Sequence, residues 1–155
     1  MQLLFVENNF AVQKLCHRIG QKLGCEVVVI GSGTAALDHL ATAPTLPHII
    51  FVKTSLPGLS GYDLVRIIRT QPPFCNDPQL QSIPLIGLMA SASGTNLSRE
   101  RATGYNDFLR VPLRISTVGE TIGHWSRRQI MGSADVPAWQ MKAWHRHHRG
   151  PRSRL

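Results

Sequence analysis

The segment 48–61, with the sequence HIIFVKTSLPGLSG, is a short apolar run that passes directly into a turn rich in proline and glycine. A buried strand that ends in such a turn places its last residue at the carboxyl edge of a sheet. In open α/β sheets, ligands bind and chemistry takes place at that edge. Lys53 ends the run, so we expect a fixed positive charge at this edge.

Segments of the same kind alternate with helical patterns along most of the chain. The predicted strands cover residues 2–6, 26–30, 48–52, 83–88 and 107–110. The predicted helices run from Asn8 or Asn9 to Leu23, over 33–43, from Ser60 to the Pro72-Pro73 pair, over 93–103 and over 116–128, and residues 71–82 form a long polar loop. This alternation predicts a parallel sheet with helices on both faces. The β-branched run 26–30 is typical of a strand covered on both faces.

The first helix has a clear apolar period. Its apolar positions recur at steps of three and four residues, which predicts one buried face: Val12, Leu15, Cys16, Ile19 and Leu23. Asn8 or Asn9 can cap the start of the helix by accepting hydrogen bonds from its free N–H groups. Gly24 is placed to end it in the left-handed conformation that favours glycine.

The net charge of +8 is concentrated near the C-terminus. Residues 1–124 contain ten Lys/Arg and eight Asp/Glu, a net charge of +2, whereas residues 125–155 contain seven Lys/Arg and only Asp135, a net charge of +6. Residues 129–155 show no sustained apolar period. We therefore predict a globular domain over 1–128 and a basic, mostly disordered tail over 129–155.

The sequence favours a protein of the cytoplasm, or of the nucleus. No apolar stretch approaches the ~20 residues that span a bilayer, and residues 1–6 lack the basic start of a signal peptide. The three cysteines, Cys16, Cys25 and Cys75, have no metal-ligand spacing. We expect them to be reduced thiols. Because no segment could span a bilayer and the cysteines lack metal-ligand spacing, the sequence predicts no membrane partner and no bound metal.

Four segments, in order and at matching spacing, resemble a known family. They are LFVENN (4–9) with VQKL (12–15), LPGLSG (56–61), IPLIGL (83–88) and GYNDFLRVPLR (104–114). They are similar to the family segments VEDNxxxQKL, MPxMDG, IPIIALT and GMDDYLSKPL. Residues 2–125 thus resemble the receiver domains of two-component response regulators and hybrid histidine kinases. The resemblance implies a flavodoxin-like, doubly wound five-stranded parallel sheet of order 2-1-3-4-5.

The resemblance also locates a phosphorylation pocket, and there the chain departs from the family. Glu7 keeps one acid of the Mg²⁺-binding pair, but the second position is Asn8. Lys53 stands at the position of the family's phosphorylated aspartate. Met89 stands at the position of the strand-four hydroxyl, and Val111 at that of the lysine before proline. The switch aromatic is retained as Phe108. This pattern predicts a pseudo-receiver without catalytic residues, cofactor or Mg²⁺.

The charges of the predicted pocket balance without a metal ion. Glu7 and Lys53 form a neutral pair, and we expect a partly buried ion pair in which the lysine replaces Mg²⁺ as the internal cation. Met89 and Val111 make the remaining walls apolar. Phosphoryl transfer depends on positioned charge, and this pocket retains little of it.

The leading hypothesis is therefore a module for phosphorelay-type signalling that docks on a histidine kinase or phosphotransfer protein. The resemblance implies a docking face that contains Arg99, Arg101, Phe108, Arg110 and Arg114. Two alternatives stay open. One is phosphorylation at an atypical acid. The other is a nucleic-acid-binding regulator with a basic tail that uses the receiver fold for dimerisation. It rests on three tryptophans interleaved with cations, namely Trp125, Trp139 and Trp144 with Arg127, Arg128, Lys142 and Arg146. The oligomeric state, and whether the chain is part of a longer hybrid kinase, are left open.

Overall fold

A five-stranded parallel sheet forms the centre of the molecule in the computed structural model, which describes residues 1–90 and 102–132. The strands are β1 (Gln2–Val6), β2 (Glu26–Ile30), β3 (Ile49–Lys53), β4 (Leu85–Met89) and β5 (Asp107–Arg110). Their spatial order is β2-β1-β3-β4-β5, and every adjacent pair is parallel. The predicted fold class and strand order are confirmed.

Helices cover both faces of this sheet. They are α1 (Phe10–Lys22), α2 (Gly33–Thr42), α3 (Gly61–Thr70), the short α4 (Pro78–Ser82) and α5 (Ile115–Gly132). Buried residues of α1 and α5 pack with one face of the central strands, and those of α2, α3 and α4 pack with the other. Phe5 and Phe51 stack on neighbouring strands with ring centroids 4.6 Å apart. No helix in these described ranges is long and apolar enough to cross a membrane.

Local sequence signals fix where the helices begin and end. Of the two candidate caps, Asn9 is the N-cap of α1, because its side chain accepts hydrogen bonds from the N–H groups of Ala11 and Val12. Ser60 caps α3 through the N–H of Asp63 at 3.1 Å. Gly24 follows α1 with a φ of 71°, the left-handed conformation expected of it.

Two expectations about local structure are wrong. Residues 71–82 are not a structureless loop: they contain a 3₁₀ turn (Phe74–Asn76) and α4, which Asp77 caps and Leu80 anchors in the core. The segment is too short for its apolar period to show in the sequence. Strand β2 is also not fully covered on both faces, because Val28 is 45% exposed. The strand lies at the edge of the sheet, where the helical layers end.

Several boundaries move by a few residues. Strand β3 begins at Ile49 and includes Lys53, and β4 begins at Leu85, because Pro84 has no N–H to donate to the sheet. Helix α5 continues to Gly132, four residues beyond the predicted end at Arg128. The predicted helix over 93–103 falls mostly outside the described residues, as does the tail beyond 132.

Arg69 connects elements that are distant in sequence. Its guanidinium donates hydrogen bonds to the carbonyl oxygens of Gln81, Ile83 and Gly104 and to Oδ1 of Asn106, at 2.8–3.2 Å. Burial lowers the pKa of this guanidinium, which stays charged at neutral pH. These bonds fix the chain where it returns towards β5.

The contrast between central and edge strands yields a matched pair of substitutions. We expect Val52→Ala, at a fully buried site in β3, to lower the free energy of unfolding by about 2–3 kcal/mol, because it removes packed apolar volume. Val28→Ala, at the exposed edge, should cost less than about 1 kcal/mol. Urea unfolding of both variants measures the difference, and equal losses would contradict the assigned strand order.

Candidate functional site

The candidate site lies where the carboxyl ends of the central strands meet. Glu7 follows β1, Lys53 ends β3 and Met89 ends β4. Strand β1 has β2 as its neighbour on one side and β3 on the other, so the strand order reverses at β1. The carboxyl edge between β1 and β3 is therefore the switch point of the sheet. Doubly wound sheets bind ligands at that point.

The ammonium group of Lys53 lies between two oxygen atoms that follow β1. Its Nζ is 3.2 Å from Oε1 of Glu7 and 3.0 Å from Oδ1 of Asn8. The Glu7 side chain is 2% exposed and that of Lys53 is 30% exposed. The predicted partly buried ion pair is therefore present, and the amide of Asn8 adds a second acceptor that the sequence analysis did not anticipate.

Backbone contacts hold Glu7 in place. Its N–H donates to the carbonyl oxygen of Ile30 at 2.9 Å, and its own carbonyl oxygen accepts from Nε2 of Gln13. Its carboxylate also accepts from the N–H of Asn9 at 2.9 Å. Oε1 of Glu7 thus serves two donors, a backbone amide and the Lys53 ammonium, and the carboxylate is oriented before any ligand is considered.

A buried thiol shares the environment of Glu7. Burial, and then the negative charge of Glu7, raise the pKa of Cys16 to about 12, so the thiol stays protonated. None of the three cysteines forms a disulfide in the described structure.

The remaining positions of the site contribute no charge. Met89 is buried, and its carbonyl oxygen accepts a hydrogen bond from the N–H of Val111 at 2.9 Å. Neither side chain can donate a hydrogen bond to a ligand. The hydroxyl of Thr54, which follows Lys53, is buried and donates to the carbonyl oxygen of Leu88.

The family of this chain follows from a comparison of its sequence with known proteins. The family described as "Response regulator receiver domain" matches residues 3–122. The chain belongs to the response regulator receiver domain family.

Individual relatives are distant. The two-component response regulator ARR8 of Arabidopsis thaliana is 22% identical over 152 residues, an alignment covering 87% of this chain and 65% of that protein. The protein PilG of Pseudomonas aeruginosa is 26% identical over 141 residues, which cover 90% of each chain. Among solved structures, the receiver domain of the sensor histidine kinase PA1611 from Pseudomonas aeruginosa PAO1 has a TM-score of 0.67 at 24% identity, covering 80% of this chain and 95% of that one. That structure carries a magnesium ion coordinated in the active site cleft.

Phe108, at the position where the family resemblance implies a switch aromatic, packs against other aromatic rings. Its ring centroid lies 4.9 Å from that of Tyr105, which in turn meets Tyr62 edge-on at 5.8 Å. A Cβ atom added to Gly87 would lie 2.5 Å from the Phe108 ring. The position of the ring therefore requires a glycine at position 87, and a glycine inside the apolar run of β4 is the sequence signal of this close approach.

The residues predicted for the docking face are only partly within the described structure. Arg110 and Arg114 are exposed, at the end of β5 and just before α5. Arg99 and Arg101 lie outside the described residues. The structure thus brings Glu7, Asn8 and Lys53 into contact and places Met89 and Val111 at the ends of β4 and β5, where their backbones are bonded. Phe108, Arg110 and Arg114 lie along β5 and the loop that follows it.

The ion pair of this receiver can be tested by a double-mutant cycle. We expect Glu7→Ala to lower the free energy of unfolding by about 2–3 kcal/mol, because the ammonium of Lys53 is left without its charge partner. Adding Lys53→Met should recover much of that loss, since the unpaired charge is removed. Chemical denaturation of the two single variants and the double variant gives the coupling energy.

The exposed pair Asp63–Arg66 serves as the matched control for this cycle. Its atoms lie 2.9 Å apart, but both side chains are about half exposed or more, so Asp63→Ala should cost under about 1 kcal/mol. A double variant at Glu7 and Lys53 that is no more stable than Glu7→Ala alone would show that the buried pair contributes nothing.

Proposed function

We propose that this receiver acts in phosphorelay-type signalling by binding a protein partner, and that it does so without being phosphorylated. The observation that carries the proposal is the position of the Lys53 ammonium, within 3.2 Å of both Glu7 and Asn8. It occupies the place where the family resemblance puts the phosphorylated aspartate. An ammonium group cannot form an acyl phosphate.

The donor set does not fit the Mg²⁺ site that the family implies. Mg²⁺ prefers octahedral oxygen ligands, usually including carboxylates. Here Glu7 supplies one carboxylate, and its Oε1 already accepts from the Lys53 ammonium and a backbone N–H. A divalent cation at this point would have to displace a covalently attached cation. We therefore propose that Lys53 takes the place of the metal ion.

Two further positions support the loss of phosphoryl chemistry. The resemblance assigns to Met89 the place of a hydroxyl that bonds the phosphoryl group, and to Val111 the place of a lysine that pairs with it. Neither side chain can stabilise the charge that builds up on a transferring phosphoryl group. We propose that the chain is not an enzyme and has no cofactor.

The partner is proposed to be a histidine kinase or a phosphotransfer protein with an acidic surface. The proposed docking face includes β5 and the loop that follows it, where Arg110 and Arg114 are exposed. The family resemblance also assigns Arg99 and Arg101 to this face, and both lie outside the described residues. With no phosphoryl group to bias the equilibrium, Phe108 keeps one packed position, because a ligand shifts conformations only through differential affinity. The receiver then presents one constant surface.

The first prediction concerns phosphorylation. Incubation with acetyl phosphate or a phosphohistidine donor should leave the intact mass unchanged, because the family's acceptor aspartate, hydroxyl and lysine before proline are all replaced, by Lys53, Met89 and Val111. Asp38, Asp63 and Asp107 are the acids to examine if mass is gained. A gain of one phosphoryl group that disappears in Asp38→Asn, Asp63→Asn or Asp107→Asn would overturn the proposal.

The second prediction concerns docking. Arg110→Glu with Arg114→Glu should reduce the association rate constant with a histidine-phosphotransfer protein by roughly tenfold, because steering by opposite charge is lost. The control, Arg66→Glu, reverses an exposed arginine on α3, outside the proposed face. It should have little effect, as should Lys53→Ala if the fold is retained. Surface plasmon resonance at two salt concentrations reports the rates. Equal rates for all four proteins would place the interface elsewhere.

A further inference from the structure

Helix α1 carries a line of exposed side chains at four-residue steps. Phe10, Lys14, Arg18 and Lys22 all lie on the solvent side of the helix. Residues four apart are neighbours on a helix surface, and each step advances about 6 Å along the axis. The three cations therefore form an evenly spaced row about 12 Å long, with an aromatic ring at its start.

This row does not stabilise the helix. Like charges at four-residue spacing are mutually destabilising, and α1 contains no Asp or Glu to offset them. Within the described residues, Lys14, Arg18 and Lys22 form no ion pair. Only Lys22 lies in the last turn, where the helix dipole favours a cation. Helix stability therefore does not account for this row of cations.

Phe10 is the most exposed large apolar residue recorded in the described structure. It is 70% exposed, and the ammonium of Lys14 lies 4.6 Å from its ring centroid. A solvent-facing phenyl ring next to a cation combines a stacking surface with a positive charge. Proteins that bind single-stranded nucleic acid use this combination of aromatic platforms and cationic tracks.

The two helical layers differ in charge. Helices α1 and α5, on one face of the sheet, carry five Lys/Arg and one acid, Glu120. Among the described residues, the helices of the opposite layer carry Asp38, Asp63 and the cap Asp77, together with two arginines. One of these, Arg69, is used in internal hydrogen bonds. The molecule thus has a basic side, and α5 leads from that side into the basic segment 133–155.

We propose that the exposed side of α1 binds single-stranded nucleic acid, with phosphates along Lys14, Arg18 and Lys22 and a base stacked on Phe10. A single strand is favoured over an acidic protein because the row is uniform in sign and includes an exposed ring, and because Trp139 and Trp144 are interleaved with cations in the segment that follows α5. Helix α1 begins close to the pocket, but Phe10 and the row Lys14, Arg18 and Lys22 include no pocket residue and no residue of β5. The inference therefore does not rest on the proposed function.

The test measures the affinity of the full chain for a labelled single-stranded oligonucleotide of mixed sequence, as RNA and as DNA, by fluorescence anisotropy over a range of salt. The variant Lys14→Gln/Arg18→Gln/Lys22→Gln retains helix-forming residues. It should bind at least about tenfold more weakly, and the slope of log K against log salt should fall by about 2, since each lost phosphate contact removes about 0.7.

Two further variants separate the row from charge in general. Arg18→Gln should weaken binding, whereas its control Arg66→Gln, with the same charge change on the opposite layer, should not. Phe10→Ala should weaken binding by at least about fivefold with an unchanged salt slope, because stacking releases no counterions. Circular dichroism confirms that each variant is folded.

Several outcomes would overturn this inference. One is no binding of the unaltered chain to either oligonucleotide, and another is equal affinity and salt slope for the triple variant. A third is binding that is lost only in Lys142→Gln/Arg146→Gln/Arg149→Gln, which would assign it to the C-terminal segment alone. Stronger binding to poly-glutamate, or to vesicles of anionic lipid, than to the oligonucleotides would show that the ligand class is wrong.

Discussion

The ammonium group of Lys53, at the carboxyl edge of the sheet, sets the charge of the pocket in this receiver. The Lys53 Nζ lies within hydrogen-bond distance of Glu7 and Asn8, at the point where two central strands end. Removing either Glu7 or Lys53 would leave the charge of the other without a partner in a site that is partly shielded from water. The pair therefore neutralises the pocket with covalently attached groups, in a place where the family resemblance implies a metal ion and a phosphoryl group.

The surroundings of the pair are consistent with a fixed state. The Glu7 carboxylate is oriented by a backbone N–H, Met89 brings no hydroxyl to the end of β4, and Phe108 packs over Gly87. In this account, the position of Phe108 depends on packing alone. We propose that signalling then uses a surface that does not change, namely the one around β5 that carries Arg110 and Arg114.

Much of this arrangement could be predicted from the sequence, because it follows from the ends of apolar runs. The runs before Glu7 and Lys53 place both residues at one edge, and opposite charges there predict their contact. The contact with Asn8 could not be predicted, since it depends on a rotamer of an exposed amide. The hydrogen bonds of Arg69 join segments up to 37 residues apart, and the exposure of Val28 depends on strand order rather than on local composition.

The most direct measurement of the central claim is the effect of Mg²⁺ on the melting temperature. A ligand that binds only the folded state raises stability as RT ln(1+[L]/Kd). If Lys53 replaces the metal ion, millimolar Mg²⁺ should leave the Tm of the unaltered chain unchanged at constant ionic strength, and should raise the Tm of Lys53→Asp, where a carboxylate replaces the ammonium. A Tm of the unaltered chain that rises with Mg²⁺, and no longer does so in Glu7→Gln, would contradict the account.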